Sequence, residues 1–197
     1  MIQEATGVVL AGGRSRRFGS PKALAAWKDG TLVEAVLGIL SARFPSVMVI
    51  VKKPGDLYCL NDVRVKVIPD LIEGFHPLGG IYSALEQSAS EWVFVCGCDM
   101  PFIRPELSRA LWRTRSGFQA VVPVWQGKRQ PLCAFYARSA KKEIARALKR
   151  KDYAVHAALD PLSVKFLDER LIRTADPDGL SFNDIDTRED YARATGL

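Results

Sequence analysis

Residues 8–22 read VVLAGGRSRRFGSPK, and this stretch constrains the fold more than any other in the chain. Four apolar residues, Val8 to Ala11, run straight into Gly12 and Gly13, and then come Arg14, Arg16, Arg17 and Lys22 among small or turn-forming residues. A continuous apolar run is how a strand covered on both faces reads, which points to a parallel sheet with helices packed on either side. Glycines without a Cβ let the backbone approach a ligand, and consecutive peptide N–H groups then face an anion. The cations neutralise the remaining charge, so the segment reads as a strand that delivers the chain to a phosphate. Neither common nucleotide loop fits it. After Gly19 come Ser20, Pro21, Lys22 and Ala23, which breaks the Walker A pattern, and the adjacent Gly12 and Gly13 break G-x-G-x-x-G.

The rest of the chain repeats strand and helix signals. Thr6 to Ala11 is the first strand, and a capping box, Thr31 to Glu34, opens a helix with Val33, Val36, Leu37, Leu40 and Phe44 on one face. Pro45 helps to end it. Val47 to Val51 and Arg64 to Pro69 read as strands, and a glycine-rich turn ending in Gly79 and Gly80 opens a helix carrying Ile81, Ala84 and Leu85. Trp92 to Cys98 is the most apolar strand, and Arg104-Pro105 starts the next helix. Gln119 to Val124 and Gln130 to Tyr136 flank a turn at Gln126 to Arg129 and predict an antiparallel pair. Residues 139–150 predict a basic amphipathic helix and Tyr153 to Leu159 a short one. Val164 to Leu167 reads as a short strand, Thr174 to Gly179 as a loop, and a second capping box, Thr187 to Asp190, starts the last helix. The expected fold class is α/β: a single-domain, Rossmann-like mixed but mainly parallel sheet with helices on both faces. With 197 residues, 48% hydrophobic, and no repeat, linker or low-complexity tract, one domain over residues 1–197 is the simplest account.

A net charge of +6 points to anionic partners. Nucleic acid fits poorly, because the cations gather at a glycine loop or lie scattered, and no aromatic-basic stacking platform is evident. Cys59, Cys96, Cys98 and Cys133 have no metal-site spacing and read as buried thiols. The N-terminus lacks a cationic and apolar leader, and no apolar run reaches the roughly 18 residues of a membrane span, so a cytoplasmic protein without membrane contact is expected.

Asp99 stands at the tip of the most apolar strand, where open α/β sheets bind ligands. It is the candidate ligand for Mg²⁺, which typically takes one or two carboxylates plus substrate phosphates. Asp184 is the candidate second ligand, with Asp186 two residues on as the alternative. Asp70, at another strand end, is placed to accept hydrogen bonds from a base. Gly79 and Gly80 serve either a helix N-terminus facing a ligand or close helix–strand packing. His76 reads as a loop histidine, and Lys128 to Gln130 as a hairpin tip that either holds an anionic second substrate or is merely basic.

Taken together, these motifs resemble the nucleotidyltransferases of the nucleotide-diphospho-sugar transferase fold. Within that fold, HPLGGI at 76–81, CDMPF at 98–102, GKRQPLCAFY at 127–136 and FNDIDTREDY at 182–191 resemble the molybdenum cofactor guanylyltransferases, the MobA family. The resemblance implies that Leu10, Ala11, Gly12, Gly13 and Lys22 bind GTP, with Arg17 on its phosphates. It also implies that Asp70 reads the guanine, that Gly79 lies under the base or ribose, and that Asp99 holds Mg²⁺ and GTP. The family's base-contacting asparagine is replaced here by Lys52. The implied reaction transfers GMP from GTP to the terminal phosphate of molybdopterin-bound molybdenum, with pyrophosphate leaving and with Arg17, Lys22 and Asp99 as the catalytic set. Molybdoenzymes or other cofactor-biosynthesis proteins are the implied partners. A molybdopterin cytidylyltransferase, a sugar-phosphate nucleotidyltransferase and a non-catalytic cofactor-delivery module are the alternatives.

Overall fold

Val8 and Val9 point to opposite faces of the sheet, and each lands in a hydrophobic core of its own. This is the period-2 geometry of a strand buried on both sides. A computed structural model describes residues 1–13, 22–57 and 65–195. Arg14, Arg16, Arg17 and Cys59 lie outside these described residues.

The main sheet has eight strands. Its continuous path runs β10 (Val164–Leu167), β7 (Ala120–Trp125), β9 (Cys133–Ala137), β6 (Trp92–Gly97), β1 (Ala5–Leu10), β4 (Ser46–Val51) and β5 (Val65–Pro69), with β8 (Lys128–Arg129) paired to β7. A separate two-stranded ribbon joins β2 (Ala26–Trp27) to β3 (Gly30–Thr31). Strand β1 pairs in parallel with β4 and β6, and β4 with β5. Antiparallel β9 separates β6 from β7, which makes the sheet mixed as the sequence predicts.

One face carries α1 (Leu32–Ser41), α3 (Pro105–Arg113) and α6 (Glu169–Arg173), packed around Leu37, Leu40, Phe44, Phe94, Leu107, Leu111 and Phe135. The other carries α2 (Pro77–Gln87), α4 (Lys141–Lys149) and α5 (Val155–Leu159), around Leu78, Ile81, Leu85, Tyr136, Ile144 and Leu159. Each such fully buried side chain contributes about 1.5–3 kcal/mol of burial. The chain closes with α7 (Arg188–Thr195).

Both capping boxes form. Thr31 Oγ1 accepts from the Glu34 N–H while Glu34 accepts from the Thr31 N–H at 2.8 Å. Thr187 and Asp190 exchange bonds of the same kind, 2.9 and 3.0 Å. The β2–β3 ribbon and α6 are not anticipated by the sequence reading; two-residue strands and a five-residue helix are too short to show a period. Residues 130–132 stand outside β9, because Gln130 N–H stays with the Pro123 carbonyl of β7 and the Cys133 N–H then closes a turn on the Gln130 carbonyl at 3.1 Å.

Candidate active site

The ends of β1, β4, β5 and β6 bring the chemistry-bearing residues to one rim. The ladder continues past β1: the Ala11 N–H bonds the Ile50 carbonyl at 2.9 Å, and the Cys98 N–H bonds the Leu10 carbonyl at 3.2 Å. Gly12 therefore emerges between the ends of β4 and β6, in the type of crevice where open α/β sheets hold ligands.

On the β6 side, Lys22 is the centre. It opens a single 3-10 turn, its side chain is 10% exposed, and its Nζ donates to Asp99 Oδ2 and to Asp186 Oδ1, each at 2.8 Å. Burial opposes the ammonium charge, but the two carboxylates outweigh it and hold Lys22 above the ordinary lysine value. Asp99 turns back over Gly97, where an added Cβ would collide with Asp99 Oδ1. A glycine inside an apolar strand marks such a close approach. Asp184 completes the group. Lost hydration, then the neighbouring carboxylates of Asp99 and Asp186, push its carboxyl up to about 7, with Lys22 pulling the other way. Two carboxylates thus hold one ammonium, and Asp184 lies near enough to feel all three charges. Burial, reinforced by Asp99, also lifts the Cys98 thiol to about 12, so it is no thiolate nucleophile at neutral pH.

Two devices hold the C-terminal segment against the β6 loop. Ile185, buried between Asp184 and Asp186, donates its N–H to the Asp99 carbonyl at 2.9 Å and packs with Trp27 and Leu32. Trp27 in turn meets Phe102 and Tyr191 edge-on, with ring centroids 5.5 and 6.0 Å apart. Farther along, the fully buried Asp176 carboxylate accepts from the Leu180 and Ser181 N–H groups at 3.1 and 2.8 Å and pairs with Arg104 at 3.2 Å.

On the β4–β5 side, Lys52 lies across Gly12: a Cβ there would sit 3.2–3.6 Å from its Cγ, Cδ and Cε. Its Nζ bonds Asp70 Oδ2 and, at 3.2 Å, the Ile72 carbonyl. Asp70 is saturated. Its other oxygen accepts from the Ile72 N–H at 3.0 Å and the Ser83 hydroxyl at 2.7 Å, and its side chain is 3% exposed.

The sequence profile of the MobA-like NTP transferase domain matches residues 7–163. The chain belongs to the MobA-like NTP transferase family. A Bacillus thuringiensis (strain Al Hakam) protein named "Probable molybdenum cofactor guanylyltransferase" is 34% identical over 192 residues, or 95% of this chain and 94% of that one. The crystal structure of molybdopterin-guanine dinucleotide biosynthesis protein A from Archaeoglobus fulgidus matches with a TM-score of 0.85 at 28% identity, covering 97% of each chain. The 2-C-methyl-D-erythritol 4-phosphate cytidylyltransferase of Thermus thermophilus shares the fold, with a TM-score of 0.73 at 16% identity over 97% of both chains.

Seen in this MobA-like chain, the expected site residues fall into two groups on either side of β1. Lys22 and Asp99 meet on one, with Asp184 near them; Lys52, Asp70 and Gly79 meet on the other, and Leu10 to Gly13 run between them. Arg17 lies outside the described residues. A Cβ on Gly79 would come within 3.0 Å of Ile72, and one on Gly80 within 2.8 Å of Leu10, so the first turn of α2 sits close against the end of β1 and the loop after β5. His76 has no capping bond and stacks on Tyr153 at 3.8 Å. Arg129 turns onto the Phe166 ring at 4.5 Å and Asp160 at 3.6 Å, on the sheet edge. Among the described residues no group of three His, Cys, Asp or Glu is drawn together as a ready-made metal shell, and none of the described helices is long and apolar enough to cross a membrane. Asp186 as the partner of Lys22, Gly97 under Asp99, and the Asp176–Arg104 pair escaped the sequence reading. Only Gly97 carried a signal, a lone glycine in an apolar strand.

Proposed function

We propose that this protein transfers GMP from GTP to the terminal phosphate of molybdopterin-bound molybdenum, releasing pyrophosphate and forming the guanine dinucleotide cofactor. The observation that carries this reading is Lys22, held by Asp99 and Asp186 at the rim where the glycine strand ends, in a chain whose relatives bear that activity in their names. A phosphate oxygen of the acceptor attacks the α-phosphorus of GTP, and the bond from that phosphorus to the bridging oxygen of the β-phosphate breaks. An ionised phosphate nucleophile needs no general base.

The residues do two things. Gly12 and Gly13 bring backbone N–H groups up to the phosphates, and Lys22 exchanges a carboxylate partner for a phosphate oxygen and stabilises the charge that develops on the leaving pyrophosphate. The oxygen-only set of Asp99 and Asp184 fits a hard divalent cation such as Mg²⁺, whose charge would offset the lost hydration and the neighbouring carboxylates that lift the Asp184 carboxyl. Bound there, Mg²⁺ would neutralise phosphate charge and orient the triphosphate. Arg17 is assigned to the same phosphates.

The test is pyrophosphate release from GTP with Mg²⁺ and molybdenum-loaded molybdopterin. Turnover is expected, with a fall of about 10²-fold or more in Asp99→Ala. Faster turnover of CTP than of GTP would overturn the guanylyl assignment, and full activity of Asp99→Ala would overturn the mechanism.

A further inference from the structure

Lys22, Asp99 and Asp186 come from three separate stretches of chain: a 3-10 turn, the loop after β6 and the segment before α7. Both bonds of Lys22 are 2.8 Å long, so the three stretches have to be held in close register. Sheet pairing alone does not supply this, because β1 and β6 end before any of these residues is reached.

Trp27 stands where the three stretches meet. It is 5% exposed and lies outside the two cores that cover the sheet, in a small cluster with Leu32 and Ile185. The Lys22 turn leads into this cluster. The Ala25 N–H bonds the Lys22 carbonyl at 3.1 Å, the Ala25 carbonyl accepts from the Leu32 N–H at 3.0 Å, and Ala25 packs against the cluster. From the loop that carries Asp99, Phe102 meets the indole edge-on at 5.5 Å. From the C-terminal side Ile185 packs in the same cluster, and Tyr191 meets the indole at 6.0 Å and donates its hydroxyl to the Ala26 carbonyl. Tyr191 follows Asp190, whose carboxylate accepts the Asp186 N–H at 3.2 Å.

We infer that Trp27 is a positioning residue: its indole sets Asp99 and Asp186 around Lys22, and the satellite cluster, more than the main cores, fixes the geometry of the transfer site. The catalytic consequence rests on the proposed function; the placement does not. A cluster with so few buried side chains loosens at less cost than the sheet unfolds, because local opening follows the number of buried apolar contacts. Removing the indole therefore frees the two carboxylates while β1 and β6 stay paired.

Two variants test this, Trp27→Leu and Tyr191→Leu, the second removing only a partly buried ring from α7 and leaving both main cores intact. The first readout is hydrogen exchange of the unliganded protein. The Ile185 N–H, which bonds the Asp99 carbonyl at 2.9 Å, should exchange at least about tenfold faster in each variant, while the Val8 and Val9 amides of β1 change by less than about threefold. The second is pyrophosphate release from GTP with Mg²⁺ and molybdenum-loaded molybdopterin. A fall in kcat of about 10- to 100-fold is expected for Trp27→Leu and about tenfold for Tyr191→Leu. Trp27→Phe, which keeps a ring for Phe102 and Tyr191 to meet, should return kcat to within about threefold of the parent. In an Asp99→Ala background, where one carboxylate to be placed is gone, Trp27→Leu should cost much less than it does in the parent. Unchanged Ile185 exchange overturns the inference, as does faster exchange that β1 matches. A kcat within about threefold of the parent in Trp27→Leu overturns it too, as do losses that multiply in the double variant, the mark of a merely structural role. Should Trp27→Leu not fold, Tyr191→Leu carries the same test. A parent protein that releases no pyrophosphate from GTP would overturn the proposed function, and the exchange measurement would still decide the placement.

Discussion

Gly97→Ala tests whether the placement of Asp99, and not merely its presence, governs the chemistry. The new Cβ would overlap Asp99 Oδ1 and stand 3.2 Å from its Cγ, so the carboxylate has to swing aside. A displacement of about 1 Å breaks the 2.8 Å bond from Lys22 to Asp99, and misplacement on that scale costs about 10²-fold in rate. That corresponds to about 2.7 kcal/mol of transition-state stabilisation. The fold has less to lose. The colliding atom is the end of a side chain rather than backbone, Lys22 keeps Asp186, and Asp99 keeps its carbonyl bond from Ile185. An off-rotamer side chain and one lost hydrogen bond cost about 1–2 kcal/mol, or a melting point lower by about 2–8 °C in a chain of this size. The assay is pyrophosphate release at saturating GTP and acceptor, read beside a thermal melt. A kcat within about threefold of the parent, in a variant that melts normally, would refute the reasoning.

Two further predictions concern the C-terminal segment. Because the Asp184 carboxyl is pushed up from 3.8 to about 7 in the folded protein, the folded state holds a proton there that the unfolded chain releases. Its contribution to stability is therefore complete below pH 3.8 and is lost as pH rises through about 7. A divalent cation competes with the same proton, so Mg²⁺ or Mn²⁺ should bind more tightly at pH 7.5 than at pH 5.5, with proton release in calorimetry; Asp184→Asn should flatten that dependence, and an unchanged profile would count against Asp184 as a ligand. Asp176→Ala removes a fully buried carboxylate, orphans the Leu180 and Ser181 N–H groups and frees Arg104. A loss of about 2–4 kcal/mol is expected in urea unfolding, together with a raised KM for GTP, and a change below about 0.5 kcal/mol would sink this account of how the segment is held.

Which parts were legible from the sequence follows from how local each signal is. The apolar run into Gly12 and Gly13, the capping boxes at Thr31 and Thr187, and the strand ending at Asp99 each declare themselves within a few residues. They suffice for the fold class and for one carboxylate at the rim. Period-2 and period-3.6 patterns arise because each strand and helix must bury its own face, so they survive in the sequence whatever the strand order. The ribbon at Ala26–Thr31 and the helix at Glu169–Arg173 are too short to leave such a trace.

The rest depends on which elements become neighbours. Lys22 meets Asp186 across 164 residues, brought together by the packing of Ile185 on Trp27 and Leu32 and by its N–H on the Asp99 carbonyl. Asp70 stands at a strand end, and only the approach of α2 and Lys52 buries its carboxylate against Lys52, Ser83 and the Ile72 N–H. Ion pairs and single buried polar groups have no period, because one side chain satisfies another wherever the fold places it. Local patterns suffice for an α/β sheet whose first strand ends in two glycines. Tertiary structure decided which charges stand beside them, because the sheet order brings residues distant in the chain into the same crevice.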